Sequence, residues 1–156
     1  MISPLRICLY IHTAQKTALI VYADQSPASF NAAARDAAVE ALTVQGYKVL
    51  VSDLYAMNFK ASAIVEDIKG DLKNSEHFVY NEEMMVAWQD SRLSDDITEE
   101  QQKLKQADLV IFQFPLYWFS VPAIMKGWID RVLIQGSAFS IQRMYDNGMF
   151  QVWIFK

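Results

Sequence analysis

Residues 17–23 (TALIVYA) form a nearly continuous apolar, β-branched run. Such a run, without polar alternation, predicts a strand covered on both faces. Residues 24–29 (DQSPAS) interrupt it with polar groups and Pro27, and Ser29 is placed to cap a helix. From Phe30 onward Ala34, Ala37, Ala38, Ala41 and Leu42 recur on one stripe, predicting an amphipathic helix that Gly46 ends. Residues 47–52 (YKVLVS) read as a second strand. Strand, helix, strand in this order implies parallel pairing through a right-handed crossover.

The stretch 53–96 is less regular, with Gly70, Asn74, scattered charges and the isolated aromatics Phe78, Tyr80 and Trp88. It predicts a long excursion holding a short helix over 82–89. A polar helix follows over 98–106, with Thr98 as cap and Gln101 as its capping-box partner. Residues 108–114 (DLVIFQF) predict a third buried strand, stopped by Pro115. Pro122 starts another helix, continued over 123–134 with Ile124, Trp128, Arg131 and Val132 in register. At the front, Leu5, Ile7, Leu9 and Ile11 alternate with Arg6, Cys8 and Tyr10, a strand-like period. Residues 1–16 show neither a clean apolar block nor a small-residue cleavage site, so they read as a non-targeting extension. The whole pattern is α/β, a doubly wound parallel sheet.

A chain of 156 residues fits one domain. The formal charge of −4 without a basic tract argues against a nucleic-acid partner. No apolar run approaches the roughly 20 residues of a membrane-spanning helix. The single cysteine, Cys8, cannot form an internal disulfide and has no metal-site neighbours; a reducing, cytoplasmic setting is the simplest reading.

In an open parallel sheet, ligands bind beyond the carboxyl ends of the strands, where strand order reverses. Two segments fall there. Residues 24–31 lead into the first helix, whose start suits a phosphate and where Asn31 adds a donor, although a merely capped turn reads equally well and no Gly-rich fingerprint is present. Residues 115–122 (PLYWFSVP) put Tyr117, Trp118 and Phe119 at the mouth of the sheet. Three adjacent large aromatics point in different directions, so they suit either a partner subunit's surface or a wall for a flat ring such as isoalloxazine. No nucleophile–base–acid arrangement can be argued. His12 and His77 are isolated, and the pairs Glu82–Glu83 and Asp95–Asp96 read as solvated. No catalytic or metal-ligating residue emerges, so any chemistry must come from a cofactor.

The segments SDLYAMNF (52–59), ADLVIFQFPLYWFSVPAIMKGWIDRV (107–132) and MYDNG (144–148) closely resemble the NAD(P)H quinone reductase (DT-diaphorase) family, and LYWFS is more similar to its second type than to its first. The likeness runs over 17–151. It implies a flavodoxin-like fold, a homodimer, FAD, and two-electron transfer from a reduced nicotinamide to a quinone by a ping-pong cycle through the flavin. Residue by residue, it implies that Phe30, Asn31, Ala32 and Ala33 hold the FAD phosphates with Asp24 beside them. Leu116, Tyr117, Trp118 and Phe119 would contact the flavin, and Phe139, Ser140 and Ile141 would line the substrate pocket at the dimer interface.

Against that pattern, Asp24 stands where the family has a histidine, Val79 where it has a polar residue and Ser137 where it has phenylalanine. A carboxylate near a phosphate is repelled by about 1 kcal/mol at ~4 Å in water and about 4 at an effective dielectric near 20. After Gln151 the chain reads VWIFK, residues 152–156, where the family continues with two more strands, a flavin loop and, in the second type, a structural metal site. The expected sheet is therefore flavodoxin-like but incomplete, with the third strand at an edge and VWIFK as a candidate substitute fourth strand. Three readings follow: an active FAD-dependent quinone reductase; a truncated isoform or fragment that binds FAD weakly and acts by pairing with a full-length subunit; and, disfavoured by the aromatic wall, an FMN electron carrier.

Overall fold

The computed structural model describes residues 15–139. Strand β1 (Thr17–Tyr22) lies between β2 (Lys48–Asp53) and β3 (Leu109–Gln113) in a parallel sheet of order β2-β1-β3 among the described residues. Helices α1 (Phe30–Val44), α2 (Tyr80–Gln89), α3 (Asp95–Gln106) and α4 (Ala123–Val132) complete the fold. This is the flavodoxin-like order, in which β1 and β3 flank the point where the winding reverses. No helix among the described residues is long and apolar enough to cross a membrane.

The central strand is as apolar as its sequence requires: every residue of β1 is buried. Leu19 and Val21 pack with Met125, Trp128 and Val132 of α4 and Leu104 of α3. Trp128 also meets Phe112 edge-on at 5.7 Å. The third strand, apolar enough for burial on both faces, is half-buried and exposes Phe112, in keeping with the edge position expected for it; it has one strand neighbour among the described residues.

Helix α1 starts and stops as its sequence demands. The Ser29 hydroxyl accepts the Ala32 N–H at 3.0 Å. At the other end Gly46 has φ +86°, its N–H reaches the Thr43 carbonyl and the Tyr47 N–H reaches Leu42, the paired bonds of a glycine-terminated helix. The alanine stripe was misplaced, however. Ala32 is the buried residue, while Ala37 and Ala41 face solvent. Arg35 turns toward the sheet instead, 4.5 Å over the Tyr22 ring.

The Thr98 cap is also corrected. Helix α3 begins one turn earlier, after Ser94, and the Thr98 hydroxyl donates back to the Ser94 carbonyl at 3.0 Å. Gln101 spans to the Val132 carbonyl at 3.1 Å rather than closing a capping box. Pro122 precedes the first turn of α4 rather than opening it. Glu83 and Asp96, read as solvated, are structural. Buried Glu83 accepts the N–H groups of Lys73 and Asn74 at 2.7 and 2.8 Å, and Asp96 pairs with Arg131 at 2.8 Å. The alternating segment before residue 15 and the VWIFK tail lie outside the described residues.

Two buried ionic clusters tie the helices down, one to the sheet and one to the 53–96 excursion. The Glu100 carboxylate accepts from Ser52 of β2 (3.0 Å), Trp128 of α4 (2.7 Å) and Lys103 (2.7 Å). Arg131 donates to both oxygens of buried Asp67 at 3.1 and 2.8 Å, and the Tyr80 hydroxyl adds a bond at 2.7 Å. Burial raises the Tyr80 phenol, and Asp67 beside it raises it further. Removing one member of a buried pair strands the other, typically at about 3–5 kcal/mol. Arg131→Met should cost that much, and the double variant with Asp67→Asn less than the sum of the two single changes; urea unfolding of the four chains measures the coupling.

Gly127 lets α4 approach the excursion. A Cβ there would collide with the Ala61 carbonyl oxygen, a backbone atom that cannot swing aside. Gly127→Ala should destabilise the fold by at least the roughly 1–3 kcal/mol of ordinary overpacking, seen as a lower urea midpoint.

Candidate functional site

The two segments singled out from the sequence meet at the carboxyl ends of β1 and β3. Gln113, the last residue of β3, donates its side-chain amide to Asn31 Oδ1 at 2.7 Å, and Asn31 Nδ2 donates to Asp24 Oδ2 at 2.9 Å. The other Asp24 oxygen accepts the Ser26 N–H at 2.9 Å. This relay fixes the first turn of α1 against the base of the aromatic loop. The Ser26 N–H holds the Asp24 carboxyl below its ordinary range; partial burial opposes the shift, and Asn31 and Ser29 reinforce it.

The loop is a tight reversal. Tyr117 and Ser120 exchange N–H···O bonds, each 3.0 Å, and Trp118 and Phe119 between them have φ +51° and +61°. Left-handed backbone at a bulky residue costs roughly 1–2 kcal/mol. The strain buys no burial: Trp118 is 93% and Phe119 94% exposed, with their rings 6.4 Å apart. Leu116, Tyr117 and, across the relay, Phe30 are exposed as well. Strained backbone presenting apolar side chains to solvent marks a ligand or partner surface.

Beside this wall lies a cleft of about 400 Å³ lined by Tyr22, Asp24, Arg35, Asp53 and Tyr55, among others. Arg35 bonds Asp53 at 3.3 Å and Asp36 at 2.8 Å. Burial raises the Tyr55 phenol, and neighbouring Tyr117 and Asp24 add to the effect. A second cleft of similar size lies between α2 and α3, is lined partly by Trp88 and Ser137, and contains none of the expected site residues.

Of the expected residues, Asp24, Phe30, Asn31, Ala32, Ala33 and Leu116 through Phe119 therefore gather at one end of the sheet. Ala32 is buried, and its N–H is committed to Ser29. Phe139 does not join them. It closes a turn after α4, where the Gly136 N–H bonds its carbonyl at 2.7 Å. A ten-residue helix, roughly 15 Å long, separates that turn from the aromatic wall. Ser140 and Ile141 lie outside the described residues. Val79 precedes α2 and supplies its carbonyl to the Glu82 and Glu83 N–H groups. Sequence reasoning missed Gln113 and Tyr55. Gln113 carried a signal, as the polar residue inside an apolar strand.

Comparison with known proteins fits this geometry. A family described as having a flavodoxin-like fold matches residues 16–151. The chain is 56% identical over 138 residues to human ribosyldihydronicotinamide dehydrogenase [quinone], covering 88% of this chain and 60% of that protein. It is 55% identical to rat NAD(P)H dehydrogenase [quinone] 1, over 88% of this chain and 50% of that one. The chain belongs to the flavodoxin-like family. A solved Klebsiella pneumoniae structure assigned as a quinone reductase superposes with a TM-score of 0.74 at 44% identity, over 77% of this chain and 46% of that one. The NAD(P)H:quinone oxidoreductase of Methanothermobacter marburgensis gives 0.60 at 31% identity, over 78% and 55%. The chain spans about 60% or less of the length of these relatives.

The strain in the loop is testable. Phe119→Gly relieves a left-handed conformation at an exposed position, and the extra chain entropy of glycine offsets about 0.5–1 kcal/mol of the gain. The variant should unfold at an equal or higher urea concentration, by up to ~1 kcal/mol; a clear loss of stability would mean the ring packs against the fold.

Proposed function

We propose that this chain holds FAD at the carboxyl ends of β1 and β3 and serves two-electron reduction of quinones by a reduced nicotinamide. The observation that carries the reading is the strained Tyr117–Ser120 reversal, which holds Trp118 and Phe119 in solvent beside the start of α1. The residues fit the group. The aromatic loop offers a face to a flat ring, and the first turn of α1 offers N–H groups to a phosphate. Bound flavin would supply the hydride chemistry. The chain's own residues would orient the ring through Leu116, Tyr117, Trp118 and Phe119 and position the phosphates at Phe30 and Asn31, since Ser29 takes the N–H groups of both Ala32 and Ala33. The separation of Phe139 from the wall by α4 supports a homodimer, in which the turn of one protomer would complete the substrate pocket of its partner.

A second reading is a chain that binds FAD weakly and works when paired with a longer relative. The Asp24 carboxylate at the phosphate end favours it, because like charges repel.

Gel filtration of the purified chain with saturating FAD tests the proposal. A flavin absorbance band should co-elute with a dimer-sized peak, and steady quinone turnover with a reduced nicotinamide should follow. Trp118→Ala should weaken FAD about two- to tenfold, the usual worth of an aromatic pair. Flavin retained only after mixing with a full-length relative supports the second reading. A folded chain that retains no flavin in either setting overturns both.

A further inference from the structure

Asp24 has a role that its repulsion of phosphates alone does not describe. Its two oxygens occupy two donors at the entrance to α1, the Ser26 N–H and the Asn31 side-chain amide, each at 2.9 Å. The Asn31 amide is itself aimed by Gln113, whose bond to Asn31 Oδ1 directs Nδ2 toward the β1–α1 loop. Backbone and side-chain amides converging at a helix start are what an anion seeks there. In this chain the anion is built in.

We propose that Asp24 is an internal anion that holds the phosphate donors of the site and makes the chain select flavins by the charge of their tails. The proposal rests on the flavin reading above. A diphosphate arriving at Phe30 and Asn31 must displace the carboxylate from Asn31 or accept its charge nearby. A neutral ribityl tail meets neither obstacle. The Asp24 carboxyl stays ionised through the neutral range, held low by the Ser26 N–H, so the discrimination persists at physiological pH. No other charged side chain answers it within the relay, because Asn31, Gln113, Ser26 and Ser29 are all neutral. The nearest cation along the cleft, Arg35, is engaged by Asp36 and Asp53.

Asp24→Asn removes the charge and keeps the side chain's size and one acceptor oxygen. Flavin-fluorescence titrations with FAD and with riboflavin, on the parent chain and the variant, read the effect directly and without turnover. FAD should bind the variant about fivefold tighter or more, the lower bound set by one unit charge at ~4 Å in water. Riboflavin should change by less than about twofold on the same reasoning, since its tail carries no charge. Thermal melts confirm that each protein is folded, and Asp24→Ser is the second variant should the asparagine chain not fold. An unchanged FAD affinity, or an equal gain for riboflavin, overturns the proposal and leaves the flavin site standing. Failure of both flavins to bind parent and variants overturns the flavin reading and this inference with it.

Discussion

Glu100 lies on α3 with no exposed surface, and three elements converge to keep its charge there. Ser52 reaches it from β2, Trp128 from α4 and Lys103 from its own helix. A buried carboxylate is tolerated only when its oxygens are satisfied, so the sheet and both helices must sit where these donors can reach. Lys103 answers the charge: burial would lower its ammonium, but the bonds to Glu100 and Glu99 outweigh that and raise it. One turn along α4, Arg131 does the same work toward Asp67 and Asp96. Helix α4 is thus held along its inner face by Trp128 and Arg131, and brought close by Gly127. Its first residue follows the aromatic loop by a few positions, so what fixes the helix also fixes one end of the wall.

The other end of the wall is fixed by β3 and the amide relay. Between the two anchors the chain has nine residues, 114–122, in which to reverse, and it does so through two left-handed aromatics. Glycine would make the turn at lower conformational cost in the folded state. Retaining Trp118 and Phe119 there, in solvent, is a local conflict that the packed core around it outweighs.

What was legible in the sequence was local. The apolar run of β1, the Ser29 cap and the Gly46 terminus are decided by neighbouring residues, and all three stand. Thr98 is a local error, its hydroxyl bonding the Ser94 carbonyl one turn back. Glu83 and Asp96 look like surface residues because their neighbours are polar, whereas their roles come from partners elsewhere in the fold, the Lys73 and Asn74 amides and Arg131. The same limit applies to the site. PLYWFSVP announced an unusual aromatic cluster, but its proximity to the start of α1 depends on Gln113 and Asn31, 82 residues apart. The half-buried state of β3 is legible from the edge position the resemblance implies and not from its composition, which reports what a strand can bury.

The two halves of the site therefore answer to different forces. The aromatic loop is set by backbone geometry, since Tyr117 and Ser120 close the reversal with their own amides and need no charged group. The start of α1 is set by side-chain polarity, since a single carboxylate commits Asn31 and Ser26. Changes in one half need not propagate to the other, because the relay joins them through neutral amides whose hydrogen bonds persist whether or not Asp24 is charged. One residue at the start of α1 can therefore change without disturbing the aromatic loop.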